Sequence, residues 1–265
     1  MEVKLRAGSI PALGTLPSKM AHEFEQHLQP ELRNQVNKLL KTNSKIRGEK
    51  YWKGPKRILD YAISGLSSPA SLAVILLAGT AIIIDGGWPP IHLGKRPHPG
   101  KENGEISLLK LRTMEKDAEI KRKFLLTQAI ATDTSPLELK RNDPRITRLG
   151  RFFRKTSLDE SPQFLNVLWK YSLWVVGTRP FDYPEWDAYI RPNQAKSPYK
   201  EYIEYLKGGM NYGMTGPDVL TRRGNLDPLS RVCIANIYAE KSSLEGDLRM
   251  IRLTPRAVFS RRGAY

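Results

Sequence analysis

The chain has 265 residues, with 43 Lys and Arg against 27 Asp and Glu, a formal net charge of +16. A hydrophobic share of 40% is ordinary for a folded core and does not by itself make the chain disordered, while the cationic excess calls for an anionic partner: nucleic acid, acidic lipid headgroups or a phosphorylated substrate. The single cysteine, Cys233, excludes an internal disulfide, and no CxxC or Cys/His cluster offers a zinc site.

The first twenty residues lack a cationic stretch followed by an apolar run, so no cleavable signal is expected and the N-terminus is expected in the cytoplasm. Residues 1–50 form a polar extension in which Met20, Phe24, Leu28, Leu32, Val36 and Leu40 recur every four residues, and Pro30 divides them into two short helices. Residues 62–84 carry no charge and are framed by Asp60 and Asp85, a length sufficient to cross a bilayer core of roughly 30 Å. Ser67, Ser68 and Pro69 sit in its first third. Proline removes a backbone donor and crowds the preceding turn, so a kink or break is expected there, with the serine hydroxyls serving the freed carbonyls. Lys50, Lys53, Lys56 and Arg57 precede the segment, and Lys95, Arg96 and Lys101 follow it. Positive charge on both flanks favours a re-entrant hairpin over residues 51–95, turning near Ser68 and Pro69, above a spanning helix or a buried hairpin of a soluble core.

Pro89, Pro90 and a Gly-rich basic loop over 94–104 lead to a predicted strand over 106–111, then a charged helix over 112–130. Residues 143–180 read DPRITRLGRFFRKTSLDESPQFLNVLWKYSLWVVGTRP: two helices flank a turn, and a strand over 173–176 ends at Gly177. The chain closes on a tail of Arg249, Arg252, Arg256, Arg261 and Arg262 interleaved with Leu248, Ile251, Val258 and Phe259, which suits an anionic leaflet. The fold class expected is α+β, mostly helical: a broken membrane helix plus a small cytoplasmic catalytic domain over 96–265 with amphipathic membrane-surface helices.

Within 143–180, Ser157 with Glu160 three residues on has the spacing of a capping box, and Pro162 suits a first turn. That alone accounts for Asp159 and Glu160, since carboxylates are favoured at a helix N-terminus. The surroundings admit a second reading. Arg145, Arg148, Arg151 and Arg154 recur every three residues upstream, and Lys110, Arg112 and Arg179 bound other turns. Cations around an acidic pair bind phosphate oxygens and keep a carboxylate ionised, as nucleophilic attack on phosphorus requires, with a hard divalent ion to relieve repulsion. The arginine row also fits a solvated or headgroup-facing helix side, and Arg154, nearest the pair, fits a substrate role best.

These residues resemble the monotopic phosphoglycosyl transferases of the bacterial sugar transferase family. DPRITRLGRFFRKTSLDESPQFLNVL is similar to the family's core, KLRTM (110–114) to its basic strand end, GTRP (177–180) to its GPRP turn, and Ser68 with Pro69 to the break in its membrane helix. The resemblance implies that Asp159 attacks the β-phosphate of a UDP-sugar, releases UMP and carries a phosphosugar that polyprenol (undecaprenyl) phosphate then accepts. It implies that Glu160 binds Mg2+, that Lys110, Arg154 and Arg179 contact phosphates or the uridine diphosphate, and that Arg112 assists. It further implies an inner-membrane location with the catalytic domain on the cytoplasmic face and a role in exopolysaccharide biosynthesis. A catalytically impaired membrane-anchored scaffold of the same fold is the alternative, and a basic nucleic-acid-binding protein with a buried apolar segment is a third, less favoured reading. No nucleic-acid partner is expected, because no binding module or aromatic platform is present; homo-oligomerisation is left open. Departures from the family pattern are the stretch 169–174, with one residue more and no acid, Thr178 in place of a proline, and GMTG (213–216) followed by PDVLTRRG.

Overall fold

The computed structural model describes residues 20–118, 121, 143–169, 172–222 and 226–259. Two helices, α1 (Met20–Gln26) and α2 (Pro30–Leu40), open the described chain, and Pro30 begins the second rather than interrupting it. Phe24, Leu28, Leu32, Val36 and Leu40 are buried, as the four-residue period predicts. The short α3 (Glu49–Trp52) then leads into α4 (Lys56–Ile84), 29 residues long, or about 43 Å if straight.

Pro69 lies inside α4, and the chain stays helical through it, so the expected helix break is not present in the backbone. The reason is local. Pro69 has no N–H to give the Gly65 carbonyl, and Ser68 Oγ donates to that carbonyl at 3.0 Å. One face of α4 is buried and mostly polar or small (Lys56, Asp60, Ser64, Ser71, Ala78, with Ile82 in the last turns), whereas Ile58, Leu66, Leu72, Leu76, Leu77, Ile83 and Ile84 point outward and are exposed. Among the described residues α4 is the one helix long and apolar enough to cross a membrane.

A hairpin follows, β1 (Ile91–Pro97) antiparallel to β2 (Glu105–Leu111), with His92 opposite Lys110 and Gly94 opposite Leu108. The basic stretch expected as loop from residue 94 is therefore strand as far as Pro97. The charged helix expected over 112–130 starts later than expected: the chain stays extended to Met114, which bridges Ile146, Ala118 and Lys121 are helical, and residues 119, 120 and 122–142, with the rest of that expectation, lie outside the described residues. Next come α5 (Arg148–Thr156), a 3-10 turn (Leu158–Glu160) and α6 (Gln163–Leu168). Strand β3 (Trp174–Val176) pairs in parallel with β4 (Gly213–Thr215), with α7 (Tyr199–Lys207) between them in sequence. Helices α8 (Pro217–Arg222), α9 (Pro228–Lys241) and α10 (Leu244–Phe259) complete the body.

The core is built around α9, whose Val232, Cys233, Ile234, Ala235, Ile237 and Tyr238 are all buried, so this helix is covered on every side. The N-terminal pair docks on α9 and α10: Arg249 donates to the Lys38, Leu39 and Lys41 carbonyls at the end of α2, and Lys241 pairs with Glu25. A cation on the last carbonyls of a helix satisfies orphan acceptors and meets the negative end of its dipole.

Buried charge ties α4 to this body. Lys56 Nζ lies 2.6 Å from Asp247 Oδ2 and 3.5 Å from Asp60 Oδ1, all three side chains being fully buried. Tyr51 and Tyr238 hydroxyls donate to Asp247 at 2.9 Å each, and Asp60 accepts from the Val175 amide at 3.1 Å. The middle of α4 is held by Ser71 Oγ on the Ser161 carbonyl at 2.7 Å, and its last turns pack Ala78 and Ile82 against Leu111 and Phe153.

Candidate active site

Asp159 and Glu160 lie in the 3-10 turn between α5 and α6. Ser157 does not cap a helix start here, which corrects the capping-box reading. It sits in the left-handed region (φ 57°) as the C-cap of α5, its amide donating toward the Arg154 carbonyl. A capping box is found instead at Asp182 and Glu185. The left-handed residue folds the chain back at once, which places the acidic pair beside the end of β2.

Backbone contacts fix the cations around it. Thr147 caps α5 by accepting from the Gly150 amide, and a Cβ on Gly150 would stand 2.1 Å from the Thr113 carbonyl oxygen, so only glycine lets α5 lie against the continuation of β2. Arg154 Nε donates to Thr113 Oγ1 at 2.9 Å, and Lys110 Nζ donates to Glu160 Oε1 at 2.9 Å. Arg179 approaches the same oxygen at 3.9 Å. The Arg179 amide donates to buried Asp218 at 2.8 Å, and a Cβ on Gly216 would meet the Gly177 carbonyl oxygen at 1.8 Å, so the GTRP turn is clamped against β4 and α8. Thr178, in the proline's place, is buried there.

Asp159 is only 8% exposed, and its carboxylate makes no ion pair and no hydrogen bond to another residue among the described residues. Burial pushes its pKa up, neighbouring Glu160 adds to that, and the Lys110 and Arg154 cations pull it back down. A largely desolvated carboxylate in the field of two cations that it does not bond could attack an incoming phosphorus.

The structure thus gathers Asp159, Glu160, Lys110, Arg154 and Arg179. It does not bring Arg112 to the pair. Arg112 Nε donates to the Pro89 carbonyl at 2.7 Å, and its side chain lines a cavity of about 200 Å3 at the end of α4 with Ile82, Asp85 and Thr147. The arginine row also divides: Arg145 is pinned on Asp143 (2.6 Å), Arg148 and Arg151 are exposed, and Arg154 alone turns to the site. Ser68 and Pro69 lie in α4, outside this cluster. Motif reading missed Thr113, which holds Arg154, and Asp218, which holds the turn; the second carried no signal beyond standing two residues after Gly216.

No group of three or more His, Cys, Asp or Glu side chains converges among the described residues. Two adjacent carboxylates with phosphate-binding cations nonetheless fit a hard ion of the Mg2+ type, which takes one or two carboxylates and completes its shell with substrate phosphates and water.

A mostly helical α+β body with one long apolar helix and a carboxylate pair surrounded by Lys and Arg side chains defines the class: a membrane-associated protein with a charged site. Residues 51–261 match the model of the bacterial sugar transferases, and the chain belongs to that family. It is 32% identical over 261 residues to an uncharacterized sugar transferase of Haemophilus influenzae, covering 97% of this chain and 50% of the relative. It is 31% identical over 204 residues to the undecaprenyl-phosphate galactose phosphotransferase of Salmonella typhimurium (74% and 40%), and 31% identical over 205 residues to the exopolysaccharide production protein ExoY of Rhizobium meliloti (74% and 84%). The chain spans about half or less of the length of several of these curated relatives.

Proposed function

We propose that the chain transfers a sugar-1-phosphate from a UDP-sugar to undecaprenyl phosphate, in two steps through a covalent aspartyl-phosphosugar, as a membrane step of exopolysaccharide assembly. The observation that carries this is the Asp159 carboxylate, buried, unbonded among the described residues and in the field of the Arg154 and Lys110 cations. In the first step an Asp159 oxygen attacks the β-phosphorus, the bond from that phosphorus to the bridging oxygen breaks, and its electron pair leaves with UMP. Lys110 and Arg154 hold the non-bridging oxygens as charge develops on them. Arg179, which approaches the same Glu160 oxygen as Lys110, steadies the diphosphate. In the second step a polyprenol phosphate oxygen attacks the same phosphorus and Asp159 leaves as carboxylate, so neither step needs a proton donor. Glu160 would hold Mg2+, which when bound neutralises diphosphate charge.

The reading includes location at the cytoplasmic face of the inner membrane, and what supports membrane association is α4. Its seven outward Ile and Leu side chains would cost about 10 kcal/mol to leave in water, at roughly 1.5 kcal/mol each, so lipid is their natural surround. Both ends and the middle of α4 are fastened to one body that carries the charged site. That supports a helix entering and leaving on one face rather than crossing. Labelling of cysteines placed at Lys53 and Lys95 should modify both from the cytoplasmic side; protection of either would rule out re-entry.

The activity is tested by supplying a panel of UDP-sugars with Mg2+ and undecaprenyl phosphate and measuring UMP. The parent should release UMP with at least one sugar and Asp159→Asn should not; equal release from both would sink the covalent mechanism.

A further inference from the structure

The turn that carries Asp159 and Glu160 rests on α4 at both of its ends. At one end Leu158 packs against the cluster of Ala78, Ile82, Leu111 and Phe153, which Val74 and Ile75 also join. At the other end the Ser161 carbonyl accepts from Ser71 Oγ at 2.7 Å. Positions 71, 74, 75, 78 and 82 follow the three- and four-residue spacing that puts side chains on one face of a helix, so a single stripe of α4 serves both ends of the turn. The acidic pair stands between these two anchors.

Ser71 differs from Ser68 and Thr80 of the same helix. Those two donate to the Gly65 carbonyl at 3.0 Å and the Leu76 carbonyl at 2.8 Å, within α4 itself, which is where a hydroxyl inside a helix ordinarily turns. Ser71, only 3% exposed, reaches instead to a residue 90 positions further along the chain. Glu160 has a side-chain anchor of its own in Lys110, whereas the Asp159 carboxylate bonds no other residue among the described residues. The backbone of the turn therefore places the Asp159 oxygens, and α4 places the turn.

We propose that Ser71 is a positioning residue: its hydroxyl fixes the Ser161 carbonyl and, through the 3-10 turn, holds Asp159 in line with the donor phosphorus. This assignment rests on the transferase chemistry proposed above. Ser71 touches no substrate and exchanges no proton; it restricts the freedom of the nucleophile, whose misplacement by about 1 Å can cost on the order of a hundredfold in rate.

The test compares the parent with Ser71→Ala and Thr80→Ala in detergent. With UDP-sugar and Mg2+ but no polyprenol phosphate, the amplitude of the UMP burst counts competent sites, and its rate constant times the attack by Asp159. Ser71→Ala should lower the rate constant about tenfold while keeping the amplitude and the half-saturating UDP-sugar concentration. It should also speed hydrogen exchange at the Glu160 and Ser161 amides, which close the turn on the Ser157 and Leu158 carbonyls at 3.2 and 3.1 Å. Thr80→Ala, which likewise removes a hydroxyl bond from α4, should match the parent throughout. A parent-like rate constant in Ser71→Ala would overturn the assignment, as would a lower amplitude at the parent's rate constant, or equal slowing by Thr80→Ala. If the parent releases no UMP from any UDP-sugar, the transferase reading fails separately and exchange alone decides Ser71: unchanged exchange at these two amides overturns the clamp.

Discussion

Lys56→Met probes how the apolar helix is fastened to the catalytic body. The substitution keeps the length of the side chain and removes an ammonium that is fully buried against Asp247 (2.6 Å) and Asp60 (3.5 Å), with the Trp174 ring 4.8 Å away. Breaking a buried pair on one side costs about 3–5 kcal/mol, because the remaining charge loses its partner without regaining water. Asp247 keeps its hydrogen bonds from Tyr51 and Tyr238, which places the loss near the lower end, about 3 kcal/mol. For a chain of this size that corresponds to a fall in Tm of roughly 10 °C. Thermal unfolding in detergent can be followed by tryptophan fluorescence, with Trp52 and Trp174 as near reporters. The double variant Lys56→Met/Asp247→Asn should lose less than the sum of the singles by about 1 kcal/mol or more. A fall under about 2 °C, or strict additivity, would refute the claim that this pair anchors α4.

Other outcomes follow from single contacts. Arg154→Ala should lower turnover tenfold or more by removing a phosphate-stabilising cation, with Tm changed little; unchanged kinetics would return Arg154 to the rest of the arginine row. Gly216→Ala drives a methyl into the Gly177 carbonyl and should cost about 3 kcal/mol or more while displacing Arg179, measurable as lower Tm together with lower activity. His98 is buried, accepts from the Gly100 amide and bonds the Met210 carbonyl at 3.1 Å, and burial lowers its pKa from 6.5 to about 4. As pH falls the unfolded chain takes the proton first, so stability is lost between about pH 6.5 and pH 4, by up to about 3 kcal/mol, and levels off below that. His98→Gln should remove this part of the pH slope; an unchanged slope would contradict it.

Features with a short-range cause were legible in the sequence. The period of four in residues 20–40 gave two helices with the expected buried face, and the strand over 106–111 was found within one residue. Asp159, Glu160, Lys110, Arg154 and Arg179 were singled out from charge pattern and resemblance, and the fold does bring them together. Failures occurred where a distant or competing contact decides. Pro69 promised a break, but the Ser68 hydroxyl takes over the orphaned carbonyl and the helix continues. Ser157 and Glu160 matched a capping box, but the tight turn needs a left-handed residue at Ser157 instead. Strand β1 was hidden by its glycine and charges, because its stability comes from pairing with β2 rather than from its own residues. Arg112 has the composition of a phosphate ligand, but its Nε is bonded to the Pro89 carbonyl.

The central claim, that Asp159 forms a covalent phosphosugar ester, is tested most directly by mass spectrometry of protein incubated with Mg2+ and its UDP-sugar in the absence of polyprenol phosphate, quenched in acid and digested. The account predicts a mass gain of one phosphosugar on the peptide that contains Asp159, absent from Asp159→Asn and discharged when undecaprenyl phosphate is added. UMP release with no modified peptide, or the same gain on Asp159→Asn, would contradict it.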